Sequence, residues 1–345
     1  MVVEPESYCW SSGRLVEQRD GPTWAGELQP YSSLEYVVRD GGSGLSKGIA
    51  LVRDERPGLK DGLDVFHTLY EGGKALRQTW AAASRALEAA DQQQKWFDRR
   101  GRQGKSRQGQ GPPLKRAWDI AEKRMDQADL AEKAFERVKQ ALSLFTPEGQ
   151  LNDRARAEQV VHEQLPHLSG PQWNKTCRLL QRPETFTFLD RLHEGLRRLQ
   201  VDQQELGNAL RFEGLRRCLW LWREESPQAA AARGLVLMGT VRLQNDPHWR
   251  EIVGQVRRVL RGCWRASSLV EGINSVARMH QSRHRRMTQG LLDLKRLYWN
   301  IRTFRTGRRR GKSPYALLGL KLPADDWWQL LKLPPDQLAQ HLSTQ

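Results

Sequence analysis

Cysteine is scarce. The four residues (Cys9, Cys177, Cys218, Cys263) lie far apart and form no Cys-x-x-Cys pair. That scatter argues against a zinc site and against a disulfide framework, and fits buried free thiols in a reducing cytosol. No run of about 18 apolar residues occurs, so no membrane span is expected. The opening residues MVVEPE lack the basic and apolar stretches of a signal peptide. A Gly-x-Ser-x-Gly nucleophile elbow is missing, and so is His and Cys spacing suited to zinc. The tract GGSGLSKG (41–48) has glycines and a lysine, yet lacks the Gly-x4-Gly-Lys-Ser/Thr spacing of a phosphate loop.

Acid is what the most basic segments lack. Of 345 residues, 56 are Lys or Arg and 40 are Asp or Glu, for a formal net charge of +16. Residues 99–116 hold seven basic residues and no acid, and residues 278–312 hold twelve against one acid, Asp293. These segments carry +7 and +11, so the remainder of the chain is −2. Charge focused in this way points to a polyanionic partner. A hydrophobic content of 38% with 13 Trp is modest for a compact enzyme and too rich for a disordered chain.

Patterning divides the chain. Residues 1–74 read as α/β: strands at 7–10 and 14–17 joined by a turn, a helix over 23–30 capped by Thr23, a strand over 34–39, a helix over 45–52, and a strand over 63–67. Residues 75–262 read as helical. Leu76, Trp80, Ala83 and Leu87, and then Trp118, Ala121, Met125, Ala128 and Phe135, recur at helical steps. Between them, 99–116 is rich in Gly, Gln and Pro, which predicts an antiparallel hairpin with a basic, mobile tip. Further helices are expected at 188–199, 203–222 and 249–262. A last long helix is expected over 267–304, kinked or split at Gly290. Residues 306–345 form a basic turn and a segment anchored by Trp327 and Trp328. Adjacent tryptophans stack on bases or plug a groove of their own domain.

Five side chains carry candidate chemistry. Asp40 follows a strand and precedes glycines, which suits either a turn or a carboxylate at a sheet edge. Glu271 begins a helix, where it complements the dipole or binds a cation. On the same face lie Asn274 and Arg278, a row able to follow a nucleic-acid backbone or simply to meet water. His67 is a structural or an accessory group. Two carboxylates held by a scaffold suit hard divalent cations and phosphoryl displacement.

The tract 267–319, SSLVEGINSVARMHQSRHRRMTQGLLDLKRLYWNIRTFRTGRRRGKSPYALLG, resembles the final-carboxylate region of bacterial DDE transposases of the insertion-sequence and Mutator-like kind. EYVVRDGGSGLSKGIAL (35–51) and LDVFHTLYEGGKAL (63–76) resemble their second-aspartate strand and the strand after it. The resemblance implies an incomplete RNase H-like α/β core with a large all-α insertion, mostly helical overall, the core being completed by residues 263–305. It implies Asp40 and Glu271 as catalytic ligands of Mg²⁺ or Mn²⁺, with His67, Asn274 and Arg278 as accessory groups. DNA, both transposon ends and target, would lie on Arg99, Arg100, Arg102, Lys105, Arg107, Arg283, Arg285, Arg286, Arg308, Arg309 and Arg310. A homo-oligomer on DNA and a cytoplasmic, nucleoid-associated bacterial setting follow from the same likeness. The family's first aspartate has no match: Glu4 and Glu6 flank Pro5, and Asp20 sits in a turn. The expectation is therefore an N-terminally truncated, catalytically impaired copy, or one whose start lies upstream of Met1. The alternative is a non-catalytic nucleic-acid-binding protein using the same basic surfaces.

Overall fold

A computed structural model of the chain describes residues 1–283, 287–324, 326–334 and 336–337. The protein is mostly helical with small sheets. Two compact units are present: residues 1–61 with 266–345, and residues 62–265. The expected boundary at 74/75 falls inside a continuous helix, and the chain divides instead where that helix is about to begin.

In the first unit, β1 (Val2–Glu4) pairs antiparallel with β2 (Cys9–Ser12). This corrects the expected pairing of 7–10 with 14–17. The Glu4 carboxylate accepts from the backbone N–H of Glu6 at 2.8 Å and of Ser7 at 2.7 Å, closing the turn early. Leu15 and Val16 stay exposed with no strand partner. Helix α1 (Gly21–Leu28) starts before Thr23, because Asp20 is the cap and accepts from Thr23 N–H at 3.0 Å. Strand β3 (Tyr36–Arg39) leads through Asp40 into α2 (Ser43–Glu55). A side chain at Gly44 would lie 1.8 Å from the Arg19 carbonyl, and one at Gly48 would lie 2.4 Å from Trp24 Cβ. The glycines of 41–48 thus let α1 and α2 approach closely. A small apolar cluster of Ala25, Leu28, Ile49, Val52 and Leu59 forms there.

The neighbouring strand is β4 (Lys60–Leu63), next to β3 in a two-stranded sheet, with Lys60 N–H bonded to the Glu35 carbonyl at 2.9 Å. The strand expected over 63–67 ends sooner. Asp64, buried, accepts from His67 N–H at 2.8 Å and caps α3 (Val65–Arg102), a helix of 38 residues. Its partner in the hairpin is α4 (Gly111–Ala141). The helical unit continues with α5 (Arg154–Gln164), α6 (Asn174–Leu180), α7 (Thr187–Arg197), α8 (Gln203–Leu215), α9 (Pro227–Asn245) and α10 (Pro247–Gly262). One continuous core joins them, with Trp173, Leu189, Leu192 and Val253 fully enclosed. Helix α9 has no readable apolar stripe: Val236 is buried, while Leu237, Met238 and Val241 face solvent.

The chain then returns to the first unit. The helix expected over 267–304 is two helices, α11 (Ser268–Arg283) and α12 (Gln289–Ile301). The second begins where Thr288 accepts from Leu291 N–H at 3.3 Å, so Gly290 lies within its first turn instead of marking the break. Ile273, Leu292 and Trp299 pack with Trp10 of β2. Short α13 (Pro314–Leu317) and α14 (Trp327–Lys332) follow. In α14 the buried anchor is Leu330, whereas Trp328 is 58% exposed. Of Trp327 only the backbone belongs to the described residues.

Candidate carboxylate pair and nucleic-acid interface

Asp40 sits one residue past β3 and is exposed. Its Oδ1 accepts from Gly42 N–H at 3.1 Å, an Asx turn that aims the chain into α2. Directly before it, Arg39 is buried and donates Nε to Asp61 at 2.6 Å; Arg53 bonds the other Asp61 oxygen. This buried ion network sets the end of the strand on which Asp40 stands. Sequence reasoning passed over it, since an Asp before a Gly at 61 reads as one more turn.

Glu271 lies in the first turn of α11 and is exposed, as are Ser275 and Arg278, one and two turns further on. Ile273 turns into the apolar cluster and Ala277 is buried as well, which leaves the face bearing Glu271 to solvent. Gly272, next to Glu271, meets Tyr8: a Cβ there would lie 2.2 Å from the Tyr8 hydroxyl. Asn274 is half-buried. The other side of this cluster is held by Asn300, which accepts from Trp10 N–H at 2.9 Å and donates to the Trp10 carbonyl at 3.0 Å. Asn300 closes β2 as a neighbouring strand would, and nothing in its sequence context announces that.

His67 belongs to the helical unit, in the first turn of α3, with Nε2 4.0 Å from Glu71. Glu71 is desolvated, yet Lys175 and Lys74 hold its carboxyl below the ordinary value. Among the described residues, no three His, Cys, Asp or Glu side chains gather as a metal-ligand group. Asp40 and Glu271 are each hard oxygen donors open to solvent. A groove of about 750 Å³ lies elsewhere in the same unit, lined by residues including Ser12, Glu27, Gln289 and Asp293. Its two carboxylates are already paired, Glu27 with Arg14 at 3.3 Å and Asp293 with Arg296 at 3.2 Å.

The basic hairpin tip is built on its own aromatics. Arg100 donates to the Ser106 carbonyl at 3.1 and 3.0 Å and lies 5.0 Å from the centroid of Trp96. Arg107 lies 4.6 Å over Phe97. Trp118 donates to Gln94 at 3.3 Å across the hairpin. These contacts tie the turn to α3, and α3 to α4. Arg99, Arg102 and Lys105 are exposed without an acidic partner among the described residues. The other basic positions differ. Arg309 donates to the Glu6 carbonyl at 2.9 Å and the Pro5 carbonyl at 2.7 Å, a structural tie. Arg308 and Arg310 are exposed beside it. Arg283 closes α11 with only its backbone described, and Arg285 and Arg286 lie outside the described residues.

No helix among the described residues is long and apolar enough to cross a membrane. Comparison with protein-family models, with curated proteins and with solved structures finds no match.

Proposed function

We propose that this protein handles DNA in the manner of a DDE-type transposase, with Asp40 and Glu271 as metal-holding carboxylates. The observation that carries the DNA part is the tip. Seven basic residues without an acid cap a hairpin of 38- and 31-residue helices, two of them, Arg100 and Arg107, lying over Trp96 and Phe97. Such a surface attracts phosphates through charge and offers aromatic faces to bases. The transposase part is supported by the sequence likeness around Asp40 and Glu271 and by the exposure of both carboxylates in one unit. An RNase H-like arrangement of the core, assembly of copies on DNA and a nucleoid setting belong to the same proposal.

A Mg²⁺ or Mn²⁺ ion, when bound, would supply charge stabilisation for phosphoryl displacement. The chain's own residues position what reacts. Arg39 and Asp61 set the strand end that presents Asp40, α11 presents Glu271, and Arg278 on the same exposed face would pair with a phosphate. Calorimetric titration with Mn²⁺ tests the pair: saturable binding is expected, lost in Asp40→Ala and in Glu271→Ala.

A second reading, metal-free nucleic-acid binding, draws on one observation. Asp40 already serves as a turn former for Gly42, and no group of three metal-ligating side chains occurs among the described residues. DNA affinity without saturable Mn²⁺ binding would decide for it.

A further inference from the structure

In the helical unit three arginines converge on one carboxylate, away from every motif the sequence displays. Glu213, in the last turn of α8, is fully buried. Arg257 of α10 donates Nε to its Oε1 at 2.7 Å, a close charge-assisted bond. The other oxygen, Oε2, is shared by Arg216 at 3.4 Å and Arg217 at 3.5 Å. One negative charge therefore faces three positive ones, and two of those are held only at long range.

Packing keeps the surplus in place. Arg217 lies 4.8 Å from the ring centroid of Phe145. Close by, Arg265 donates to the Leu142 carbonyl at 2.7 Å and lies 5.7 Å over Phe188. Burial holds the Arg217 guanidinium below its usual pKa; Glu213 opposes this, and Arg216, Arg257 and Arg265 add to it. The side chains of Arg216 and Arg217 nevertheless keep 47% and 42% of their surface in solvent. No second carboxylate pairs with any of these four arginines among the described residues.

Guanidinium groups repel one another when crowded, and a planar fork matches two oxygens of a phosphate. Fixed, partly desolvated and open on one side, the pair presents what an oxyanion needs. We propose that Arg216 and Arg217, set in place by Glu213 and Arg257, form a phosphate-binding site on the helical unit. The shared chemistry is a phosphate oxyanion, supplied either by a nucleic-acid backbone or by free phosphate. The site stands whether or not Asp40 and Glu271 bind metal; only its nucleic-acid source rests on the proposed function.

The test uses the full chain, wild type and an Arg216→Gln/Arg217→Gln double variant. Thermal unfolding is followed in inorganic phosphate and in pyrophosphate against chloride of equal ionic strength. Phosphate binding predicts a rise in Tm that follows a binding isotherm in the wild type and is lost in the double variant. Without phosphate the double variant is expected to unfold at or above the wild-type Tm, since repulsion is relieved. A second arm measures duplex DNA binding against salt. If the site grips a backbone, the double variant lowers the slope of log K against log salt by about 1 to 2, near 0.9 for each phosphate no longer neutralised. A phosphate isotherm with an unchanged DNA slope assigns the site to free phosphate. A changed slope assigns it to the backbone, even where free phosphate binds too weakly to move Tm. Should the double variant fail to fold, Arg217→Lys keeps the charge but removes the fork, and is expected to weaken the phosphate isotherm. No isotherm in the wild type together with an unchanged slope in the variants overturns the proposal and leaves the arginines as a structural tie between α8 and α10. Failure of the tip to bind DNA leaves the phosphate arm readable, so the two ideas fall separately.

Discussion

The helical unit and the α/β unit hold themselves together by different means. Residues 62–265 bury one continuous apolar core spread over eight helices, with Trp173, Leu189 and Leu192 wholly enclosed. Among the described residues, 1–61 with 266–345 hold two small separate clusters, around Ile49 and around Trp10. This α/β unit makes up the difference with polar ties: Asp61 between Arg39 and Arg53, Asn300 on the Trp10 backbone, and Arg309 on the carbonyls of Pro5 and Glu6. Burial is non-directional and survives many surface changes, whereas a buried ion or amide depends on each partner. Both candidate metal carboxylates, Asp40 and Glu271, sit on the polar-tied unit, so their positions are more sensitive to single substitutions than the basic tip is.

The largest effect should come from the apolar core. Trp173 is fully buried and donates to Thr79 Oγ1 at 3.1 Å. Trp173→Ala is expected to destabilise the helical unit by about 3–5 kcal/mol in denaturant unfolding. A loss below about 1 kcal/mol would show that this core is looser than its burial implies. Close behind comes Asp61→Asn, which strands the buried Arg39 charge. About 3 kcal/mol is expected, read as loss of the α/β unit's stability. If both substitutions act only through solvent-exposed segments, hydrogen exchange would reveal it, and the contrast between the units would be lost.

Each unit also buries a thiol whose titration couples its stability to pH. Burial pushes Cys9 in the α/β unit and Cys263 in the helical unit up from 9.0 to about 11. Between those values the unfolded chain has released its thiol proton and the folded chain has not. Stability therefore falls as pH rises through this window, by an order of about 2 kcal/mol per thiol. Cys9→Ala should flatten the loss for the first unit and Cys263→Ala for the second. A pH-independent melting curve from 9 to 11 in the wild type would contradict the burial of both.

Smaller effects mark the surfaces. Arg100→Ala with Arg107→Ala should leave stability within about 1 kcal/mol while lowering the salt slope of DNA binding by about 1 to 2. An unchanged slope would move the DNA away from the tip. The smallest change in stability is expected for Asp40→Asn, about 0.5 kcal/mol, because the amide oxygen can still accept from Gly42 N–H. A loss comparable to that of Asp61→Asn would mean that Asp40 is structural, and it would remove the reason to treat it as a ligand.

Much of the helical content is written locally. Apolar residues at three- and four-residue steps mark α3, α4, α7, α8 and α10, and an acid-free run between prolines and glycines marks the tip. Alternation and glycines place β3 and the Asp40 turn within a residue or two. The exposed face with Glu271 and Arg278 follows from helical periodicity alone, since Leu269, Ile273 and Val276 fall on the other side. These features depend on spacing within one element, which a sequence carries in full.

The caps and the partners are another matter. Asp20 and not Thr23 begins α1, Asp64 turns an expected strand into a helix start, and Thr288 and not Gly290 begins the helix after the break. Each choice depends on which side-chain oxygen reaches a free N–H, and several nearby residues could have done so. Strand pairing is less legible still: 14–17 has the composition of a strand, but Glu4 closes the turn first and Val2–Glu4 takes the place beside β2. Arg39 with Asp61, Arg257 with Glu213 and Asn300 with Trp10 join residues 22, 44 and 290 positions apart. No local pattern encodes such pairs; the packing of whole elements brings them together, and burial then decides which charges and amides must meet. Spacing along the chain told which faces are apolar and where charge gathers, and only tertiary packing decided which polar groups are enclosed and which remain open to a ligand.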